Sequence, residues 1–451
     1  RGLTEMRPWR RAWRHLLGIA VLGWGMLPGG MAAAQTTGFT LIGHIERFSL
    51  DAPRDALASA SMTVRGITVV LPRNLLITLP GRYMTAHDLF LGPRLAGLQS
   101  QSGLALEDPT PPKVPFEAEI IGNVTGGRYV AGVVRISQGA LHVGAGYIQA
   151  IDPVTGEMRI GDRGGTAGAR VRLNDSKGIF APADPVLDLR FAMDPENAAV
   201  HASTGFPVCV QGAANARTCK AGNRPPGDPT RFICGSEPAF GIAAHSACDP
   251  KLPVPLREGD HVTYAGILMP HPAGGFMVAA HGLNAELGIY TSPRAEPVYL
   301  FVEEAIQGTK GEQFPGIPQE ETTRFRLVGF TTDPTRNVEV WLIDSDRHRN
   351  RPPGQPPFQG LSISGPGGLP PSNGPQLGRF RNTWPAKDDA RAVRRDVLVR
   401  VVDSARGPLP DTGLTSGTYV SPVNEYIYPE PTSFGLRGFP VPVPFENFCF
   451  L

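Results

Sequence analysis

Residues 146–161 read GYIQAIDPVTGEMRIG, and this stretch carries the clearest local signal for a fold. Two runs with apolar residues at alternate positions flank Pro153-Val154-Thr155-Gly156, where proline and glycine occupy positions that a tight turn favours. Alternation of apolar and polar residues indicates a strand with one buried face. The stretch therefore predicts two antiparallel strands joined by a short turn.

Short alternating runs between turn residues recur along the rest of the chain. The 54 glycines and 46 prolines among 451 residues disfavour long helices, because both residues destabilise helix interiors. Hydrophobic residues still make up 41% of the chain, which is enough to form buried cores. We therefore expect an all-β protein with very little helix. One helical turn is predicted at 85–90, with Thr85 as its cap and Asp88 completing the cap.

Several phrases resemble the OB-like barrel modules of exported proteins. Residues 146–152, with the turn at Thr155 and Gly156, resemble the first hairpin of such a barrel, and residues 259–266 resemble a later strand. A similar opening occurs at 43–51. The resemblance, over residues 114–290, implies an OB-like barrel there and says little about chemistry.

Segments rich in proline and glycine divide the chain into predicted modules. These are an N-terminal β module at 35–110, an OB-like β-barrel at 114–290 with a cysteine-containing insert at 205–252, an immunoglobulin-like β-sandwich at 295–406 and an extended C-terminal strap at 407–451. Within the sandwich, residues 347–378 are crowded with proline, glycine, serine and asparagine, which predicts a long loop. The prolines near the C-terminus favour a strap over a sheet strand.

The first 34 residues have the composition of a secretory signal peptide. Arginines at 7, 10, 11 and 14 precede an uncharged run at 16–27, and three alanines at 32–34 supply small residues for cleavage. The apolar run is shorter than the roughly 20 residues that span a bilayer. We therefore expect a secreted, periplasmic or cell-surface protein with no transmembrane span after cleavage. An uncleaved membrane anchor is the alternative.

The charge of the chain argues against nucleic acid as a partner. The whole sequence carries a formal charge of +2, far from a basic footprint. The predicted signal peptide holds five arginines and one glutamate, so the remaining chain carries −2. No basic excess is left to attract phosphates.

Four of the five cysteines, Cys209, Cys219, Cys234 and Cys248, lie in one segment poor in core-forming residues. An oxidising compartment permits disulfide bonds, which would stabilise such a segment. Four cysteines allow three pairings, and the spacing does not choose among them. A zinc site is the alternative. The state of Cys449, near the C-terminus, stays open.

Two histidines on a predicted hairpin form a candidate site for a divalent transition metal. If Val262 and Tyr264 face the core, alternation places His261 and His281 on the opposite face, within reach of each other across the strands. With Asp260 as a third ligand, they could bind zinc or copper. The other interpretation is a solvated barrel face.

Asp344 and Asp346 follow a predicted strand in the sandwich. Carboxylate oxygens are suitable ligands for calcium, which is abundant outside cells. The sequence therefore predicts a candidate calcium site, with a solvated acidic turn as the alternative. No other cofactor is predicted.

Aromatic residues are concentrated in the C-terminal third and include Trp341, Trp384, Tyr426 and Tyr428. Exposed aromatic faces can stack on apolar ligand surfaces, which predicts a surface polymer, a carbohydrate or another protein as the partner. Trp341 alternates with core-forming residues and could equally be buried.

The sequence contains no motif of a serine hydrolase, a zinc protease, a nucleotide-binding loop or a haem site. We therefore expect a secreted or surface-associated noncatalytic binding or structural protein, with its ligand unidentified. The alternative is an extracellular metal-assisted hydrolase that uses the histidine pair.

Overall fold

The alternating runs of the sequence form short strands in the computed structural model, which describes residues 37–73, 75–138, 142–194, 197, 199–227, 229–308, 324–343, 361–362, 371, 376–385, 396–422 and 425–427. These residues are nearly all β. Helical structure within them is limited to α1 (Ala86–Leu89) and 3₁₀ turns at Leu189–Phe191, Ala213–Asn215 and Ala221–Asn223. The predicted signal peptide lies outside the described residues.

Helix α1 has the cap that the sequence predicts. The Asp88 backbone N–H donates to Thr85 Oγ1 at 3.1 Å, and the Thr85 backbone N–H donates to Asp88 Oδ2 at 3.0 Å. Among the described residues, no helix has the length and the apolar composition that a membrane span requires.

The first barrel closes five strands of residues 37–137. Its strands, with those of the connection inside it, are β1 (Thr37–Leu50), β2 (Ala60–Val64), β3 (Ile67–Leu71), β4 (Leu76–Thr78), β5 (Tyr83–Thr85), β6 (Glu117–Thr125) and β7 (Arg128–Ser137). Strands β1, β2 and β3 form an antiparallel meander, and β1 also pairs with β6. Strand β7 pairs with β6 and, in parallel, with β3, which closes the barrel.

The second barrel repeats this circuit. Its strands are β8 (His142–Ile151), β9 (Met158–Gly161), β10 (Ala169–Leu173), and then β16 (His261–Pro270) and β17 (Phe276–Ala285) after a long insert. Strands β8, β9 and β10 form the meander, β8 pairs with β16, and β17 pairs with β16 and in parallel with β10. The turn predicted between β8 and β9 is confirmed: the Gly156 N–H donates to the Asp152 carbonyl at 2.9 Å, and Gly156 has φ +70°.

The insert between β10 and β16 contains short strands held by two disulfide bonds. The strands are β11 (Ala199–Ala202), β12 (Val208–Cys209), β13 (Arg231–Cys234), β14 (Ala244–His245) and β15 (Val254–Pro255), and β18 (Gly288–Thr291) pairs with β13. Cys209 is bonded to Cys219, and Cys234 is bonded to Cys248. The predicted disulfides are therefore confirmed, and the structure selects one of the three pairings.

The third module consists of two four-stranded sheets that share a core. One has the order β23-β20-β19-β28 and the other the order β22-β21-β24-β27. The strands are β19 (Leu300–Gly308), β20 (Arg324–Thr331), β21 (Val338–Ile343), β22 (Leu361–Ser362), β23 (Arg379–Pro385), β24 (Asp396–Val401), β25 (Gly407–Pro408), β26 (Thr415–Ser416), β27 (Thr418–Pro422) and β28 (Glu425–Ile427). Valines from both sheets, Val302 and Val399 among them, meet in one apolar cluster.

Three predicted boundaries differ from the structure. The proline-rich segment before Phe116 is not a module boundary, because β6 pairs with β1 over eight residues and belongs to the first barrel. The predicted loop 347–378 contains β22, which pairs with β21. In the predicted strap 407–451, β27 and β28 each add a strand to one sheet, and residues 428–451 lie outside the described residues.

The two barrels are joined by a common apolar core. Leu187, Phe191, Ile267, Met277 and Ala279 of the second barrel and its insert belong to the same buried cluster as the core of the first barrel. Phe191 stacks on Phe116 with ring centroids 4.9 Å apart. The junction is therefore a packed interface rather than a linker.

Candidate functional site

The predicted histidine pair does not form. Val262 and Tyr264 face the core as expected, but Ala265 pairs with Gly282 and the next residue, Gly266, pairs with Ala280, so that His281 lies in a bulge. The position across from His261, at the other end of the ladder, belongs to Glu286, whose Oε1 lies 2.9 Å from His261 Nδ1. The two histidines therefore lie several residues apart along the hairpin, because register rather than alternation alone decides which residues meet.

Asp260 is also not available as a metal ligand. Its carboxylate is buried and accepts hydrogen bonds from Arg224 Nη1 at 2.5 Å, from Arg224 Nη2 at 2.7 Å and from the Arg257 backbone N–H at 2.8 Å. The described residues contain no group of three or more His, Cys, Asp or Glu placed to hold a metal ion. Asp344 and Asp346 lie outside the described residues, so the calcium prediction stays a prediction.

The predicted aromatic residues are only partly within the described residues. Trp341, on β21, has a buried indole Nε1 with no hydrogen-bond partner among the described residues, and the Arg400 guanidinium lies 5.5 Å from its ring centroid. Trp384 and Tyr426 lie on β23 and β28, but their side chains are outside the described residues, as is all of Tyr428. These positions do not establish a binding surface.

A cavity of about 330 Å³ lies where the two barrels meet. Its walls come from the connection between β3 and β6, from the first part of the insert between β10 and β16, and from the end of β16. The volume is at the small end of the range of roughly 300–1,000 Å³ found for small-molecule sites. The cavity is therefore large enough for a small organic ligand, and a packed interface holds its walls.

A buried ion pair forms the polar wall of this cavity. The Arg190 side chain is 2% exposed, and its Nη2 donates to Asp188 Oδ2 at 2.7 Å. Arg190 Nη1 crosses to the first barrel, where it donates to the carbonyls of Leu89 at 2.9 Å and Ser102 at 2.5 Å. The same guanidinium thus joins the two barrels and faces the cavity.

The remaining walls are mostly apolar, and the amide side chain of Gln138 also lines them. Phe116, Val114, Ile267 and Met269 supply apolar surface. Gln138 is engaged with the end of β16, since its Oε1 accepts from the Leu268 N–H at 2.7 Å and its Nε2 donates to the Leu268 carbonyl at 3.3 Å. Exposed side chains at the mouth include Gln99, Thr110, Lys113 and Pro270.

His271, which follows β16, anchors the end of that strand to β10 and to the turn between β8 and β9. Arg170 Nη1 lies 2.7 Å from His271 Nδ1, and the Ala273 N–H donates to the same nitrogen at 3.0 Å. Because Nδ1 accepts these bonds, Nε2 carries the ring proton and donates to Glu157 Oε2 at 2.9 Å. This network holds the neighbouring Met269 and Pro270 in place at the cavity wall.

Sequence reasoning did not identify Asp188 and Arg190. The usable signal was their placement between Leu187 and Phe191, because charged residues within a short apolar run indicate a buried ion pair. The partners from the first barrel, the carbonyls of Leu89 and Ser102, lie about a hundred residues away. No local pattern could have indicated that contact.

The fold and the cavity define a protein with two five-stranded barrels, a two-sheet module and a small-molecule-sized cavity between the barrels. No known protein family, curated protein or solved structure matches the chain.

Proposed function

We propose that this is a secreted or surface-associated noncatalytic binding protein, and that the cavity between its barrels is the ligand site. The observation that carries the proposal is the combination of an apolar cavity with a buried polar wall at a packed junction. Sites of this kind, with a few polar groups in an apolar setting, are typical of small-molecule binding. The two disulfide bonds support an oxidising, extracellular location.

The chemistry of the cavity wall supports binding over catalysis. The Asp188 carboxylate is neutralised by Arg190, and the Ser102 hydroxyl donates to Asp108 Oδ2 at 2.9 Å. A general base or nucleophile needs a free basic atom beside the reacting group. Both of these groups are engaged within the protein.

We also propose that both barrels are OB-like and that the third module is an immunoglobulin-like sandwich. The strand circuit 1-2-3-5-4 of both barrels supports an OB-like origin, although the inserts are large. In the third module, the first two strands and the fifth share one sheet while the third, fourth and sixth share the other, which supports an immunoglobulin-like sandwich. Trp341 and the other aromatic residues of this module remain our candidates for contact with a surface polymer, a carbohydrate or another protein.

A cavity-filling substitution tests the proposed ligand site. A fragment library is screened by thermal shift, and the hits are titrated against wild type, Met269→Trp and Val143→Trp. Met269 lines the cavity, whereas Val143 is 57% exposed on β8 and serves as the matched control. We expect Met269→Trp to weaken fragment binding at least about tenfold, because the indole occupies the ligand volume. Equal binding to all three proteins, or no fragment binding at all, would overturn the proposal.

A further inference from the structure

The polar wall of the cavity has one unused donor beside one underused acceptor. Arg190 has five N–H groups: Nε–H and one Nη2–H donate to Asp188, and both Nη1–H groups donate to backbone carbonyls. The second Nη2–H has no acceptor among the described residues. Gly103 lines the cavity, and a Cβ atom built on it would lie 3.9 Å from Nη2. Nη2 is therefore close to the cavity wall.

The acceptor is Asp188 Oδ2. Oδ1 accepts from the Arg190 backbone N–H and from Nε, both at 3.0 Å. Oδ2 accepts from Nη2 at 2.7 Å and, more weakly, from the same Nε at 3.3 Å. The Nε–H is shared between the two oxygens, so three N–H groups serve the roughly four acceptor positions of the carboxylate, and it retains capacity for one more donor next to the unused Nη2–H.

The charge of this wall selects against ionic ligands. Asp188 and Arg190 neutralise each other, so a buried carboxylate would face Asp188 and a buried ammonium would face Arg190. Burying such a charge without a counter-charge is costly. An uncharged group that both accepts and donates matches the wall without that cost, and a carboxamide is such a group.

We infer that the cavity binds a small ligand whose uncharged carboxamide contacts Arg190 Nη2 and Asp188 Oδ2. The apolar body of the ligand then lies against Phe116, Ile267 and Met269. This inference rests on the proposed function, since it names the chemical class of ligand for the same cavity. A competing arrangement places a ligand anion at the mouth, next to the exposed Lys113.

Three probes with one apolar body and different head groups test the inference: 3-phenylpropanamide, 3-phenylpropanoate and 3-phenylpropylammonium. Binding is followed through the labelled methyl groups of Ile267 and Met269, which line the cavity, in the full chain at pH 7. We expect the amide to bind at least about tenfold more tightly than either ion, since only the ions bury an uncompensated charge. Equal or tighter binding of either ion would overturn the inference.

Two variants test whether the head group of the ligand binds at the polar wall or at the mouth of the cavity. Lys113→Met keeps the length of an exposed side chain and removes its charge, so amide affinity is expected to stay within about twofold. Asp188→Asn replaces the acceptor and is expected to abolish the preference for the amide. If Asp188→Asn fails a folding check by circular dichroism, the probe series and Lys113→Met still decide. A loss of binding in Lys113→Met would assign the head group to the mouth and contradict the inference.

The two proposals fail in different ways. If none of the three probes shifts the Ile267 and Met269 methyl signals, the cavity is not a ligand site and the proposed function fails. If an ionic probe binds best and shifts those signals, the cavity is a ligand site and only the amide inference fails.

Discussion

The two barrels have the same strand circuit but are elaborated differently between their third and fourth strands. In the first barrel this connection, residues 72–116, contributes apolar residues to the core, including Leu75, Met84, Leu89, Phe90 and Leu104, and it contains no cysteine. In the second barrel the connection, residues 174–260, also contributes apolar contacts. In addition it contains both disulfide bonds and two buried ion pairs, Arg190–Asp188 and Arg224–Asp260.

The difference shows where this protein places its specific features. The barrel strands are similar scaffolds, whereas the two connections meet at the cavity: Leu89 and Ser102 come from the first connection, and Asp188 and Arg190 come from the second. A single barrel would leave this polar wall incomplete. The candidate site is therefore a property of the two connections together.

The largest expected effect comes from Asp260, because the second connection depends on buried charge. Asp260→Ala removes the carboxylate that accepts from both terminal nitrogens of Arg224, whose side chain is 0% exposed, and should lower the free energy of unfolding by about 4 kcal/mol. Glu119→Ala removes the partner of Arg135 in the half-exposed pair of the first barrel, and should cost less than about 1 kcal/mol. Urea denaturation measures both, and equal losses would remove the contrast between the barrels.

The next largest loss of stability is expected on removal of the Cys234–Cys248 disulfide bond of the second connection. The double variant Cys234→Ser, Cys248→Ser opens a loop with a sequence separation of 14 and should cost about 3 kcal/mol. Hydrogen exchange should show faster exchange in β13, with β1 and β6 of the first barrel unchanged at low denaturant. Uniform acceleration through both barrels would instead show that they unfold as one cooperative unit.

Acid should destabilise the second barrel through His201 on β11 and His281 on β17. Burial lowers the pKa of each to about 4, below the ordinary value of about 6.5 that the unfolded chain has. The unfolded state therefore binds more protons between these values, and stability falls as the pH decreases through this window. We expect a loss of about 2 kcal/mol per histidine between pH 7 and pH 5.

The variant His201→Phe tests this pH dependence. Phenylalanine can keep the stacking on Phe301, whose ring centroid lies 4.0 Å from that of His201. Urea denaturation at pH 7, 6 and 5 should show a smaller acid-induced loss in the variant than in the wild type. An identical pH slope in both proteins would contradict the role assigned to His201.

The smallest effect is expected at the cap of α1 in the first connection. Thr85→Ala removes the Oγ1 acceptor of the Asp88 N–H and should lower the free energy of unfolding by about 1 kcal/mol. Thr85→Ser keeps an acceptor and is the matched control. A loss in the alanine variant as large as that of Asp260→Ala would mean that the first connection also depends on one polar contact.

Local patterns predicted the features that depend on neighbours in sequence. The turn at Asp152 and Gly156, the cap at Thr85 and the hairpin of β16 and β17 follow from residues a few positions apart. The histidine pair was wrong because the register that starts at Pro270 and Phe276 already separates the two histidines, and the extra residue at the bulge shifts them one position further apart, neither of which alternation can reveal. The predicted module boundary before Phe116 was wrong because proline marks a break in local structure and not the end of a barrel.

Alternation and turn chemistry act over a few residues, and they are sufficient to predict that this chain is built from short strands and tight turns. Tertiary structure alone decided the cysteine pairing, the parallel closure of β3 on β7 and of β10 on β17, and the contact of Arg190 with Leu89 and Ser102. The physical reason is that these contacts join residues distant in sequence. Their formation depends on the packing of whole barrels, and no local preference encodes it.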